Sequence, residues 1–160
     1  MPGPAPVSSA PVPPANVPPA HVLPVRVYYE DTDAGGIVYH ANYLRFMERG
    51  RTEMLRGIGH DLAAQRQAQG VNWTVSRLAI RYLRPARLDE ALEVVTQVAA
   101  LRGASVDLVQ QVRRADGGGT GALLSDATLT LACMGADGRP VRLPADVRAA
   151  LAVAPAGGGA

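Results

Sequence analysis

One stretch of helical period, followed by almost nothing but strand patterns, most narrows what this chain can become. From His40 to Gly57, Leu44, Met47, Arg51, Met54, Leu55 and Ile58 fall near one stripe, while Arg45, Glu48, Arg49, Glu53 and Arg56 lie largely elsewhere. Gly57 and Gly59 supply stops, and Arg49 and Glu53 are spaced to pair on the exposed side. Beyond the helix, residues 72–82, 90–101, 105–113 and 122–133 alternate or run apolar over strand lengths, with a parity change near Arg77 that predicts a bulge. Their short breaks favour antiparallel hairpins. A first strand is expected over 25–29, after Pro24, and a short terminal helix over 144–151. The plan is therefore α+β, one long helix packed on an antiparallel sheet of about five strands.

The ends of the chain do not belong to that plan. Between Met1 and Val25 there is no Asp, Glu, Lys or Arg, and nine of the chain's 13 prolines lie there. Residues 1–24 are expected to form a flexible, Pro/Ala-rich extension, and 154–160 a Gly/Ala tail. Deletion through Leu23 is expected to leave activity unchanged. The extension lacks a basic n-region and an unbroken apolar run, so it reads as neither a signal peptide nor a membrane span. The remaining residues, 25–153, suffice for one core. One helix covers only part of one sheet face, yet both parities of 92–98 and of 106–112 carry Val or Leu, so a second copy is expected on the other.

Charge and composition remove several function classes. A net charge of +2 is too mild for nucleic acid as the main partner. All 16 Lys+Arg positions are arginine, which rules out a Schiff-base lysine, a P-loop lysine and a Ser–Lys dyad. A single cysteine, Cys133, permits no internal disulfide and no cysteine-rich metal cluster, and favours a cytoplasmic location.

The residues richest in chemistry lie between Tyr28 and His40. Asp31 and Asp33 flank Thr32, Gly35 and Gly36 follow, and His40 arrives where the helix begins. A carboxylate beside a helix N-terminus can act as nucleophile or general base, and the free N–H groups of that terminus can hold an oxyanion. The same residue types also build ordinary turns ahead of helices. A calcium loop fails where ligands matter, with Gly35 at its fifth position and Asn42 at its twelfth. The run Gly117-Gly118-Gly119-Thr120-Gly121 lacks the lysine and helix of a phosphate loop and reads as a hairpin turn.

Arg26-Val27, four residues, Thr32-Asp33, two residues, Gly36-Ile37-Val38 resembles the active-site signature of the 4-hydroxybenzoyl-CoA thioesterase family of hotdog-fold enzymes. The longer run from Val25 through Tyr43, continuing through Glu48-Arg49 and Arg51-Thr52-Glu53-Met54-Leu55-Arg56, resembles its Tol-Pal-associated YbgC branch. The resemblance implies a hotdog, a long helix wrapped by a curved antiparallel sheet, assembled as a homodimer or homotetramer. It implies an acyl-CoA thioesterase, active on short aliphatic or aroyl thioesters without metal or other cofactor. It puts the catalytic carboxylate on Asp33, with His40 and Tyr29 in support, and Asp31 orienting the loop.

Gly35 and Gly36 are expected to let backbone approach the thioester. Arginines are the fixed cations available for the phosphates of coenzyme A, with Arg84 the named candidate among Arg77, Arg81, Arg84, Arg87, Arg113 and Arg114; a charged strand edge explains each equally. Trp73 and Tyr82 either line the acyl pocket or fill the core. A non-catalytic module binding acyl-CoA or an acyl carrier protein, beside a cell-envelope or phospholipid-synthesis complex, is the alternative.

Overall fold

The computed structural model describes residues 20–152. Its elements are β1 (His21–Arg26), a 3-10 turn (Tyr29–Asp31), α1 (His40–Gly57), α2 (Leu62–Gln69), β2 (Asn72–Tyr82), β3 (Ala91–Leu101), β4 (Ser105–Arg114), β5 (Leu123–Met134) and α3 (Ala145–Ala152). The strands form one antiparallel sheet in the order β1-β3-β4-β5-β2. The expected shift near Arg77 is present, between Val75 and Arg77. The sheet curves around α1, the hotdog arrangement.

Alternation explains which face α1 takes. In β4, Val106, Leu108, Gln110 and Val112 are buried, while Asp107, Val109, Gln111 and Arg113 are half-buried on the opposite face. From α1, Tyr43, Phe46, Met47, Gly50, Arg51, Met54 and Leu55 are buried against that inner face. Contact is closest at Gly50, where a Cβ would stand 2.7 Å from Val94 Cγ1 and 3.1 Å from Thr96 Oγ1. Arg51 enters the core with its head satisfied: Nη1 donates to Gln110 Oε1 at 2.8 Å, and Nη2 pairs with Glu48. Gln110 in turn donates to Met47 O at 2.9 Å and Thr96 Oγ1 at 2.8 Å, so this buried polar group leaves no amide unpaired.

Four expectations change. The first strand begins at His21 and ends at Arg26, displaced from 25–29, so the last residues of the extension expected over 1–24 are sheet: Pro24 lies inside the strand, and deletion through Leu23 would cut into it. Proline is tolerated because β1 is an edge strand, paired only with β3. Expectations for residues 1–19 and 153–160 lie outside the described residues. The helix pairs are Glu48–Arg51 and Glu53–Arg56, not Arg49–Glu53; both set the acid ahead of the base, the favoured orientation. Finally, α2 was not expected at all. Asp61 caps it by accepting from Ala64 N at 3.0 Å, and Gly70 closes it in the left-handed conformation.

Candidate active site

The segment between β1 and α1 is built around backbone bonds that aim Asp33 and His40. Asp33 N donates to Ile37 O at 2.9 Å and Gly36 N to Asp33 O at 3.0 Å, a tight turn that needs Gly36 at φ 78°. Gly35 N donates to Asp33 Oδ1 at 2.8 Å, fixing one carboxylate oxygen, and a Cβ at Gly35 would crowd that oxygen at 3.1 Å. Asp31 is buried and structural: its Oδ2 accepts from Tyr28 N at 2.8 Å, while its carbonyl accepts from Tyr39 N at 2.8 Å and Asn42 Nδ2 at 2.9 Å. These bonds set where α1 starts relative to Asp33.

The other wall comes from the end of β2 and the linker to β3. Val38 N donates to Ala86 O at 2.9 Å, and Ala86 N donates to Tyr43 Oη at 3.0 Å. Tyr82 Oη donates to His40 O at 2.9 Å. The Tyr82 ring stands edge-on to His40 at 6.2 Å between centroids and to Tyr43 at 5.5 Å. Burial raises the phenol pKa of Tyr43, opposed by the Ala86 N–H bond, and burial likewise raises that of Tyr82. Both therefore remain neutral phenols through the physiological range, Tyr43 accepting and Tyr82 donating.

Between these walls lies a groove of about 390 Å³, lined by Asp33, Ile37, His40, Tyr43, Tyr82 and Arg84 among others. Arg84 Nη1 donates to Leu123 O at 2.9 Å, which orients the guanidinium and leaves further N–H groups in its fork. Three of the six candidate residues, Asp33, His40 and Arg84, thus meet in one place. The other three do not line it. Tyr29 is 83% exposed on the 3-10 turn, and Gly35 and Gly36 serve the turn that holds Asp33 rather than the groove wall. Trp73 lies away from this groove, against α2, with Nε1 donating to Gln65 Oε1 at 3.3 Å. Tyr43 is a lining residue that pattern reading missed, because within α1 it looks like any core aromatic. Among the described residues no group of three or more His, Cys, Asp or Glu side chains could hold a metal.

One long helix wrapped by a five-stranded antiparallel sheet defines the hotdog class of proteins, and here Asp33 and His40 stand at the N-terminal end of that helix. The family model of the thioesterase-like superfamily matches residues 27–151, and the chain belongs to that family. It is 44% identical over 111 residues to the acyl-CoA thioester hydrolase YbgC of Escherichia coli O6:H1, covering 69% of this chain and 78% of that protein. It is 44% identical over 127 residues to the acyl-CoA thioesterase YbgC of Haemophilus influenzae, covering 79% and 90%. Among solved structures, a probable thioesterase from Bartonella henselae superposes with a TM-score of 0.71 at 35% identity, covering 78% of this chain and 99% of that one. A mutant 4-hydroxybenzoyl CoA thioesterase in complex with 4-hydroxybenzoyl CoA shares the fold, with a TM-score of 0.75 at 21% identity over 81% and 96% of the two chains. The chain is a hydrolase of this family.

Proposed function

We propose that the protein hydrolyses acyl-CoA thioesters to a free acid and coenzyme A, using Asp33 as nucleophile or general base. The carrying observation is that Asp33 and His40 line one groove at the N-terminal end of α1. The first N–H groups of a helix have no carbonyl in a preceding turn, so they are suited to receive the oxyanion as the thioester carbonyl is attacked. The oxygen of the free acid comes from water, which either attacks directly with Asp33 as base or cleaves the acyl anhydride formed when Asp33 attacks. The C–S bond breaks and the coenzyme A thiolate leaves with a proton, which His40 is suited to supply. Arg84, the arginine among the groove's lining residues, is suited to meet a phosphate of the coenzyme. No lysine or metal is called on.

The acyl group is short and aliphatic or aromatic, in keeping with the groove's size and its two tyrosine rings. The resemblance to the YbgC branch supports a place beside the Tol-Pal system and an acyl carrier protein as a partner, and the single cysteine supports a cytoplasmic location. The test is an acyl-CoA panel read by free-thiol release, run on the wild type and on Asp33→Asn. The wild type is expected to release thiol. Asp33→Asn is expected to lose hydrolysis by roughly 10³-fold or more while its melting temperature stays unchanged. Full activity in that variant would remove Asp33 from the mechanism, and a wild type silent across the panel would remove the function.

A further inference from the structure

The start of α1 is anchored from two directions. On one side stand the bonds to Asp31; on the other, the sheet sends in a side-chain donor at Tyr82, whose Oη–H reaches the His40 carbonyl at 2.9 Å. The same side chain touches the imidazole, its ring perpendicular to that of His40. Its strand is locked on the inner flank: Tyr82 pairs with Ser125 of β5, and Leu83 N and Arg84 N both donate to Leu124 O, at 2.8 and 3.1 Å. A rigid strand end thus grips the residue at which both the helix and the imidazole begin. His40 itself has no side-chain hydrogen bond among the described residues, so its rotamer is left to its surroundings: the Tyr39 ring at 4.5 Å and the Tyr82 ring at 6.2 Å.

We propose that Tyr82 is a positioning residue for the hydrolysis: by gripping the His40 carbonyl it holds the His40 imidazole in place against the thioester held beside Asp33. This rests on the function proposed above and adds a role to a strand residue 42 positions along the chain from His40. Tyr82 forms no bond with substrate in this scheme; it acts through His40. Burial raises the pKa of its phenol, already far above neutrality for a free tyrosine, so the hydroxyl is a donor at neutral pH.

The experiment is a double-substitution cycle on the full chain: wild type, Tyr82→Phe, His40→Ala and the pair, each assayed with the best acyl-CoA of the panel. Tyr82→Phe keeps the ring and deletes only the hydroxyl. It is expected to lower kcat by roughly three- to tenfold, the effect of one misplaced hydrogen bond, with KM within about twofold and the melting temperature within a few degrees. In the His40→Ala background the main-chain carbonyl persists but the imidazole is gone, so deleting the Tyr82 hydroxyl is expected to change kcat by less than about twofold. A role confined to stability would give the same factor in both backgrounds. Equal factors, or a Tyr82→Phe enzyme with wild-type kcat, overturn the proposal. Failure of the underlying function is distinguished beforehand, since it would leave the wild type without turnover.

Discussion

At the scale of single residues, the geometry of Asp33 depends on what is missing from its neighbour. Gly35 offers its N–H to Asp33 Oδ1, and the carboxylate folds back against the backbone because no Cβ stands in the way. Unlike Gly36, Gly35 has an ordinary φ, so alanine would fit its backbone and disturb only the carboxylate. Gly35→Ala is therefore expected to lower kcat by about tenfold with little change in melting temperature, read from steady-state kinetics beside a thermal melt. A variant that melts normally and turns over normally would show that the Asp33 rotamer is unimportant. Asp33, His40 and the turn between them were legible in the sequence because the whole constellation lies within eight successive positions. Tyr43 and Tyr82 were not assigned from it: a tyrosine on a helix stripe and one at a strand end look the same whether they fill a core or wall a groove, and only the folded chain brings their rings to 5.5 Å.

Elements carry a second constraint, the closeness of α1 to the sheet. The helix can lie low only where its side chain vanishes, at Gly50, above Val94, Thr96 and Gln110. Alanine is the better helix former by roughly 1 kcal/mol, yet here its methyl would stand 2.7 Å from Val94 Cγ1. Overpacking of this kind costs about 1–3 kcal/mol and outweighs the propensity gain, so Gly50→Ala is expected to lower the urea midpoint. An unchanged or higher midpoint would mean the helix can lift freely. Most of this architecture could be read in advance, because the period of 3.6 in α1, the alternation in β4 and the apolar run of β3 follow directly from which faces are buried. What escaped notice was held by other means. In α2, which spans Leu62–Gln69, only Leu62 and three alanines are apolar, and its buried residue is Gln65, bonded to Trp73, so no stripe announces it; the caps Asp61 and Gly70 were the available signal. The start of β1 was hidden by Pro24, a strand breaker everywhere except at an edge.

For the whole molecule, the decisive fact is the sheet's second edge. β2 pairs with β5 along one side, and among the described residues nothing pairs along the other, though the strand runs for 11 residues. An edge of that length normally carries some defence against pairing, and β2 has its bulge near Arg77 and the charges of Arg77 and Arg81. It also shows apolar surface, with Val75 40%, Tyr82 45% and Leu83 46% exposed. Tyr82 and Leu83 line the groove as well, so a second copy laid along β2 would close the open flank of the site. Stability of the pair and access of the acyl group to the groove would then be linked: a dimer would bury the apolar edge and at the same time keep water from the thioester. Val75 lies seven residues from Tyr82 on the same strand and outside the groove lining, which makes it the position at which the pair can be broken without touching the site. The wild type is expected to sediment at twice the chain mass. Val75→Lys, which puts a charge on that edge, is expected to shift the protein toward the monomer and to lower kcat/KM in proportion to the monomer fraction. A monomeric Val75→Lys protein with undiminished turnover would mean that each groove works alone, and that the exposed edge serves some purpose other than completing the site.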